Sequence, residues 1–101
     1  MSDERVDALI VYDIETTSAK GRRRWRAICQ LCKNYGQRVQ FSVFECRLTH
    51  AQLETVEAKA LAIINQEKDS LRFYVLRGGR EAALRSYGID RYQDFDEPLV
   101  L

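Results

Sequence analysis

A two-layer α+β sandwich is what this sequence predicts, on three observations. Apolar residues recur with period two in short segments and with period three to four in longer ones. These segments follow one another as strand, helix, strand or strand pair, helix, strand. At 101 residues, 46% hydrophobic and 31% charged, the chain can build one core and is too short for a second. The commonest form of that order is the split βαβ, or ferredoxin-like, βαββαβ arrangement, with both helices on one sheet face. The expected unit is one domain, 1–101.

Residues 6–14 form a compact run with β-branched and aromatic members, flanked by polar stretches, and read as a buried central strand. Over 22–35, Trp25, Ile28, Cys29, Cys32 and Tyr35 recur at helical spacing, and Gly36 follows as a stop. The alternation over 37–48 sends Val39, Phe41 and Val43 one way and Gln40, Ser42 and Phe44 the other, in one bent strand or two short ones. Thr49 and Gln52 make a capping box, from which Leu53, Val56, Ala60, Ile63 and Ile64 carry a helix to about residue 66. Residues 71–77 alternate again and end at Gly78-Gly79. A short helix fits 81–87, and the apolar residues 98–101 fit an extra C-terminal edge strand. With Phe44, Tyr74 and Leu76 on its second face, the sheet is poorly hidden in one copy, so a homodimer packed sheet to sheet is expected.

Composition excludes several classes. The longest apolar runs, 8–12 and 60–64, are five residues each, whereas a membrane span needs about 20 and a secretory signal roughly 7 to 15. No membrane association is expected. Three cysteines cannot all pair within one chain, which suits a reducing compartment, and the expected location is cytoplasmic. The total charge is only +1, but residues 20–47 hold eight cations against the single anion Glu45, a net of +7 that leaves −6 elsewhere. Six of those eight are arginine, whose planar fork suits bidentate phosphate contact. Arg22, Arg23, Arg24, Arg26 and Arg38 are accordingly candidate nucleic-acid contacts, a solvated basic face being the plainer reading.

The sharpest polar feature is Asp13, at the C-terminal end of the first strand. A rigid strand can aim its carboxylate at a metal or a reacting group; the same residue could simply cap the following turn. Mg²⁺ accepts one or two carboxylates along with waters and phosphate oxygens, so two copies of Asp13 near a dimer axis could supply what one chain lacks. Glu15 and Glu45 read as surface acids. Cys29 and Cys32 have the spacing of half a zinc site, but no second pair exists and both fall on the apolar stripe, so they read as buried thiols. His50, the single histidine, has no evident nucleophilic partner, and Arg77-Gly78-Gly79-Arg80 reads as a turn.

The chain also resembles a known family. Tyr12-Asp13-Ile14, Arg22-Arg23-Arg24, the stretch from Tyr35 to Cys46, Leu48-Thr49 and Leu71-Arg72-Phe73-Tyr74 are similar to the small universal adaptation protein of CRISPR systems, the Cas-two family. The likeness covers about two thirds of the chain and is most specific from Tyr35 to Glu45. It implies a ferredoxin-like homodimer that joins a larger integrase subunit and holds double-stranded DNA during spacer acquisition. Several members are described as metal-dependent endonucleases on RNA or DNA. By the resemblance, Asp13 is the catalytic Mg²⁺ residue, Tyr12 neighbours it, and Arg24, Arg26, Arg38 and Phe44 handle substrate. Trp25, where a smaller apolar residue is more usual, the Cys29/Cys32 pair and the acidic stretch 90–97 depart from the pattern. A purely non-catalytic DNA-binding scaffold is the alternative, since the residues supply no evident general base.

Overall fold

The computed structural model describes residues 4–93 and orders them as β1 (Arg5–Asp13), α1 (Ala19–Tyr35), β2 (Gln37–Gln40), β3 (Val43–Thr49), α2 (His50–Ile63), β4 (Ser70–Val75) and α3 (Arg80–Ala83). The four strands form one antiparallel sheet in the order β2-β3-β1-β4. This is the ferredoxin-like βαββαβ arrangement. The strand expected at 98–101 lies outside the described residues.

Side-chain alternation along β1 divides the molecule. Ala8, Ile10 and Tyr12 point into the layer shared with the helices, whereas Asp7, Leu9, Val11 and Asp13 point to the other face. Ile10, Phe44, Ile28 and Val56 are all fully buried, one each from β1, β3, α1 and α2, and they mark the centre of the core. Burying each such side chain contributes about 1.5–3 kcal/mol.

Phe44 corrects the expected face. It stands opposite Ile10 in the β1–β3 register, so it belongs to the core rather than to the open face. The register shifts between Arg38 and Gln40, and residues 41–42 form a turn. That shift breaks the continuous alternation read over 37–48, and a one-residue slip moves every side chain beyond it to the opposite face. Val43 consequently lies on the open face, with Leu9, Val11, Arg72 and Tyr74.

Helix α1 begins three residues before the expected start. Ser18 caps it, its hydroxyl accepting from the Gly21 N–H at 3.0 Å. The helix ends at Gly36, whose φ of −155° is ordinary extended backbone. A Cβ there would lie 2.6 Å from the Glu45 carbonyl oxygen, so close approach to β3 demands the glycine. Helix α2 has the expected capping box, Thr49 N–H donating to Gln52 Oε1 at 2.9 Å and Gln52 N–H to Thr49 Oγ1 at 3.2 Å, but ends at Ile63. The helix expected over 81–87 shortens to the single turn of α3.

Candidate functional site

Asp13 ends β1 on the sheet's open face, with Ser70 of β4 beside it. Its carboxylate is exposed and makes no hydrogen bond or ion pair among the described residues. Nearby acids are differently placed. Glu15 accepts from the Ser18 N–H and hydroxyl, both at 3.2 Å. Asp69 is held by Arg24 at 2.7 Å and by the N–H groups of Glu15 at 3.0 Å and Asn65 at 2.8 Å. Among the described residues, Asp13 is thus the sheet carboxylate without a partner.

The far end of the open face is closed by ion pairs. Asp7 accepts from Arg47 at 2.8 Å and from the Arg80 N–H at 2.7 Å, and Arg47 reaches Glu81 at 3.4 Å. Arg80 also pairs with Glu45 and, at 2.9 Å, with Asp90, and its guanidinium lies 3.7 Å from the Tyr92 ring centroid. Glu45, expected on the surface, is therefore a buried, paired acid. Among the described residues the uncovered part runs from Leu9 and Tyr74, in the same row as Glu45, to Val11, Arg72 and Asp13; Tyr74 is exposed and Arg72 donates to its hydroxyl at 2.8 Å.

The arginines divide into groups. Arg22, Arg23 and Arg26 are exposed on α1, and Arg22 also donates to the Thr16 carbonyl at 3.2 Å. The start of α1 is fastened close to the end of β1, because a Cβ on Gly21 would fall 1.9 Å from the Glu15 carbonyl oxygen. Arg24 is committed inward to Asp69. Arg38, on the core side of β2, places its guanidinium 5.2 Å from the Phe44 ring centroid and 5.8 Å from that of Phe41, with Nη2 against Cys29 Sγ. Its Nε is buried with no hydrogen-bond partner among the described residues.

Tyr12 and Phe44, expected to handle substrate, are core residues whose rings stack 6.2 Å apart. Burial pushes the Tyr12 phenol up to about 12, and its hydroxyl has no hydrogen-bond partner among the described residues. Both sit beneath the surface that carries Asp13. Cys29, Cys32 and Cys46 are free, buried thiols, as expected for the first two. Burial pushes Cys32 and Cys46 up to about 12, which keeps them as inert thiols.

Two features escape a reading of the residues alone. One is Asp69, 45 positions from Arg24. The other is Phe41, which leaves the strand for the turn and stacks on Trp25 with ring centroids 5.6 Å apart. Only the unusual size of Trp25 signalled anything at that place.

The protein-family model described as "CRISPR associated protein Cas2" matches residues 6–83. The chain belongs to the Cas2 family. It is 45% identical over 93 residues to the "CRISPR-associated endoribonuclease Cas2 1" of Moorella thermoacetica, covering 92% of this chain and 97% of that protein. It is 40% identical over 92 residues to the "CRISPR-associated endonuclease Cas2" of Halalkalibacterium halodurans, covering 91% and 96%. A crystal structure of Streptococcus pyogenes Cas2 superposes with a TM-score of 0.71 at 39% identity, over 81% of this chain and 99% of that one. These Cas2 relatives carry endoribonuclease and endonuclease names. No helix among the described residues is long and apolar enough to cross a membrane.

For a Cas2 metal, the donor set is sparse. Among the described residues no three His, Cys, Asp or Glu side chains are grouped to hold an ion. A single exposed carboxylate still fits Mg²⁺, a hard cation that keeps several waters and takes one or two carboxylates plus substrate phosphate.

Proposed function

We propose that this protein acts in CRISPR spacer acquisition as a cytoplasmic homodimer that binds double-stranded DNA together with the larger integrase subunit, and that the dimer also hydrolyses phosphodiester bonds. Membership of the Cas2 family supports the CRISPR part of this reading, and the observation that carries the hydrolysis part is the Asp13 carboxylate, unpaired among the described residues on the open face of the sheet. Packing two such faces together buries Leu9, Val11, Val43 and Tyr74 and brings the two Asp13 side chains toward the symmetry axis. There the pair would hold one Mg²⁺, which supplies charge stabilisation at the scissile phosphate and a more acidic bound water. Arg22, Arg23 and Arg26 on α1 contact backbone phosphates, and Tyr12 and Phe44 fix the strand ends that carry Asp13 and Arg38.

One observation favours the scaffold reading. The hollow containing Asp13 is lined by Tyr12, Ile14, Thr16, Trp25, Phe41 and Ser42, none of which is a good general base at neutral pH. In that reading the basic surfaces fix the spacing of two integrase units. A cleavage assay on matched RNA and DNA, with and without Mg²⁺, separates the two. Hydrolysis requires Mg²⁺ and is abolished in Asp13→Asn with duplex affinity retained. Cleavage that persists in Asp13→Asn removes Asp13 from the chemistry, and absence of any cleavage with spacer acquisition intact establishes the scaffold.

A further inference from the structure

Trp25 comes from α1 and Phe41 from the turn between β2 and β3, yet their rings stack 5.6 Å apart at an interplanar angle of 25°. Burial does not account for Phe41, which is 70% exposed and so forgoes most of the benefit of an apolar core position. The Arg38 guanidinium lies 5.8 Å from its ring centroid. The result is a braced aromatic surface standing in water beside a fixed cation.

Two hollows share Trp25. One, of about 180 Å³, holds Asp13, Thr16, Phe41 and Ser42; the other, of about 250 Å³, holds Arg26, Lys33 and Arg38 with Cys29 and Gln30. Among the described residues no acid lines the second. A ring pair set between three cations and one carboxylate matches one chemical unit, a planar base attached to phosphate. The cations argue against a second copy of this chain seated over the Arg26, Lys33 and Arg38 hollow, since two cationic hollows would meet there. Inside a duplex both faces of a base are covered by its neighbours, so an aromatic platform takes a base that is unpaired.

The geometry points to Trp25 and Phe41 as a stacking platform for one unpaired nucleobase beside Asp13, with Arg26 and Lys33 holding the adjoining phosphate. This rests on the cleavage reading of Asp13 for its purpose.

Trp25 is the single tryptophan, so its emission reports the platform directly. The full chain, kept in chelator to prevent hydrolysis, is titrated with single-stranded oligothymidylate or oligouridylate, the same strand carrying abasic sites, and a blunt duplex. The base-bearing strands quench Trp25 saturably and the abasic strand does not. Phe41→Ala lowers single-strand affinity roughly 5- to 100-fold, leaves blunt-duplex affinity unchanged, and Phe41→Leu falls between. Thermal melting verifies that both variants are folded. Equal quenching by the abasic strand, or unchanged single-strand affinity in Phe41→Ala, overturns the platform, as does a change in oligomeric mass in that variant. Asp13→Asn keeps the quenching whether or not the wild type cleaves, so loss of the cleavage reading and loss of the platform register in different measurements.

Discussion

Arg24 grips Asp69 through two hydrogen bonds, Nε to Oδ2 at 2.7 Å and Nη2 to Oδ1 at 3.3 Å, tying the basic helix to the turn before β4. The Asp69 side chain is fully buried and also accepts the N–H groups of Glu15 and Asn65. One carboxylate thus joins the end of β1, the start of α1 and the entry to β4, the three elements around Asp13.

Asp69→Ala leaves those buried donors without an acceptor and costs about 2–4 kcal/mol. For a chain of this size that lowers the melting temperature by about 10–25 °C. Differential scanning calorimetry checks it, and a change within a degree or two would place Asp69 outside the stabilising network.

Acid should act through the same residue. Burial alone would raise the Asp69 pKa, but Arg24 and the two N–H donors outweigh it and hold the group below its ordinary 3.8. Asp7 is lowered in the same way, burial being outweighed by Arg47 and Arg80. Groups depressed in the folded state contribute their full stability above the unfolded value and lose it as pH falls through the folded one. Urea midpoints should therefore decline below about pH 4 to 5, less steeply in Asp69→Asn. Midpoints that stay level down to pH 2 would contradict the assignment.

The arginine run, uniform in sequence, divides in placement: Arg22, Arg23 and Arg26 are exposed and Arg24 is paired with Asp69. Arg23→Ala and Arg26→Ala lower the slope of log affinity for DNA against log salt by about 1 each with melting unchanged. Arg24→Ala instead lowers melting through its loss of Asp69. The reverse pattern, in salt titrations paired with thermal melts, would move the phosphate contact to Arg24.

Phe44 tests core against contact. Phe44→Ala destabilises by about 3–5 kcal/mol, and Phe44→Leu by far less, with nucleic-acid affinity per folded molecule retained in Phe44→Leu. A stable Phe44→Leu that no longer binds would show the ring touching substrate.

Much of this was legible beforehand, for physical reasons. The stripe of Ile28, Cys29 and Cys32 is local periodicity, and the Thr49–Gln52 box is a contact three residues long, so both elements could be read directly. The face of Phe44 could not, because the shift between Arg38 and Gln40 reverses an alternation that looks unbroken in the letters. Neither could the commitment of Arg24: five arginines look alike until a partner 45 positions away selects one. Glu45 was misplaced for the same reason, its Arg80 lying 35 positions on. Asp13 was visible because a lone acid ending an apolar strand is conspicuous, and its freedom from partners came only with the tertiary structure.

The paired use of Asp13 is tested most directly by counting metal. Titrating the protein with Mn²⁺ as a paramagnetic stand-in for Mg²⁺ and following free ion by electron paramagnetic resonance should give one ion per two chains, with that site lost in Asp13→Asn. One ion per chain, or binding unchanged in Asp13→Asn, would contradict the account.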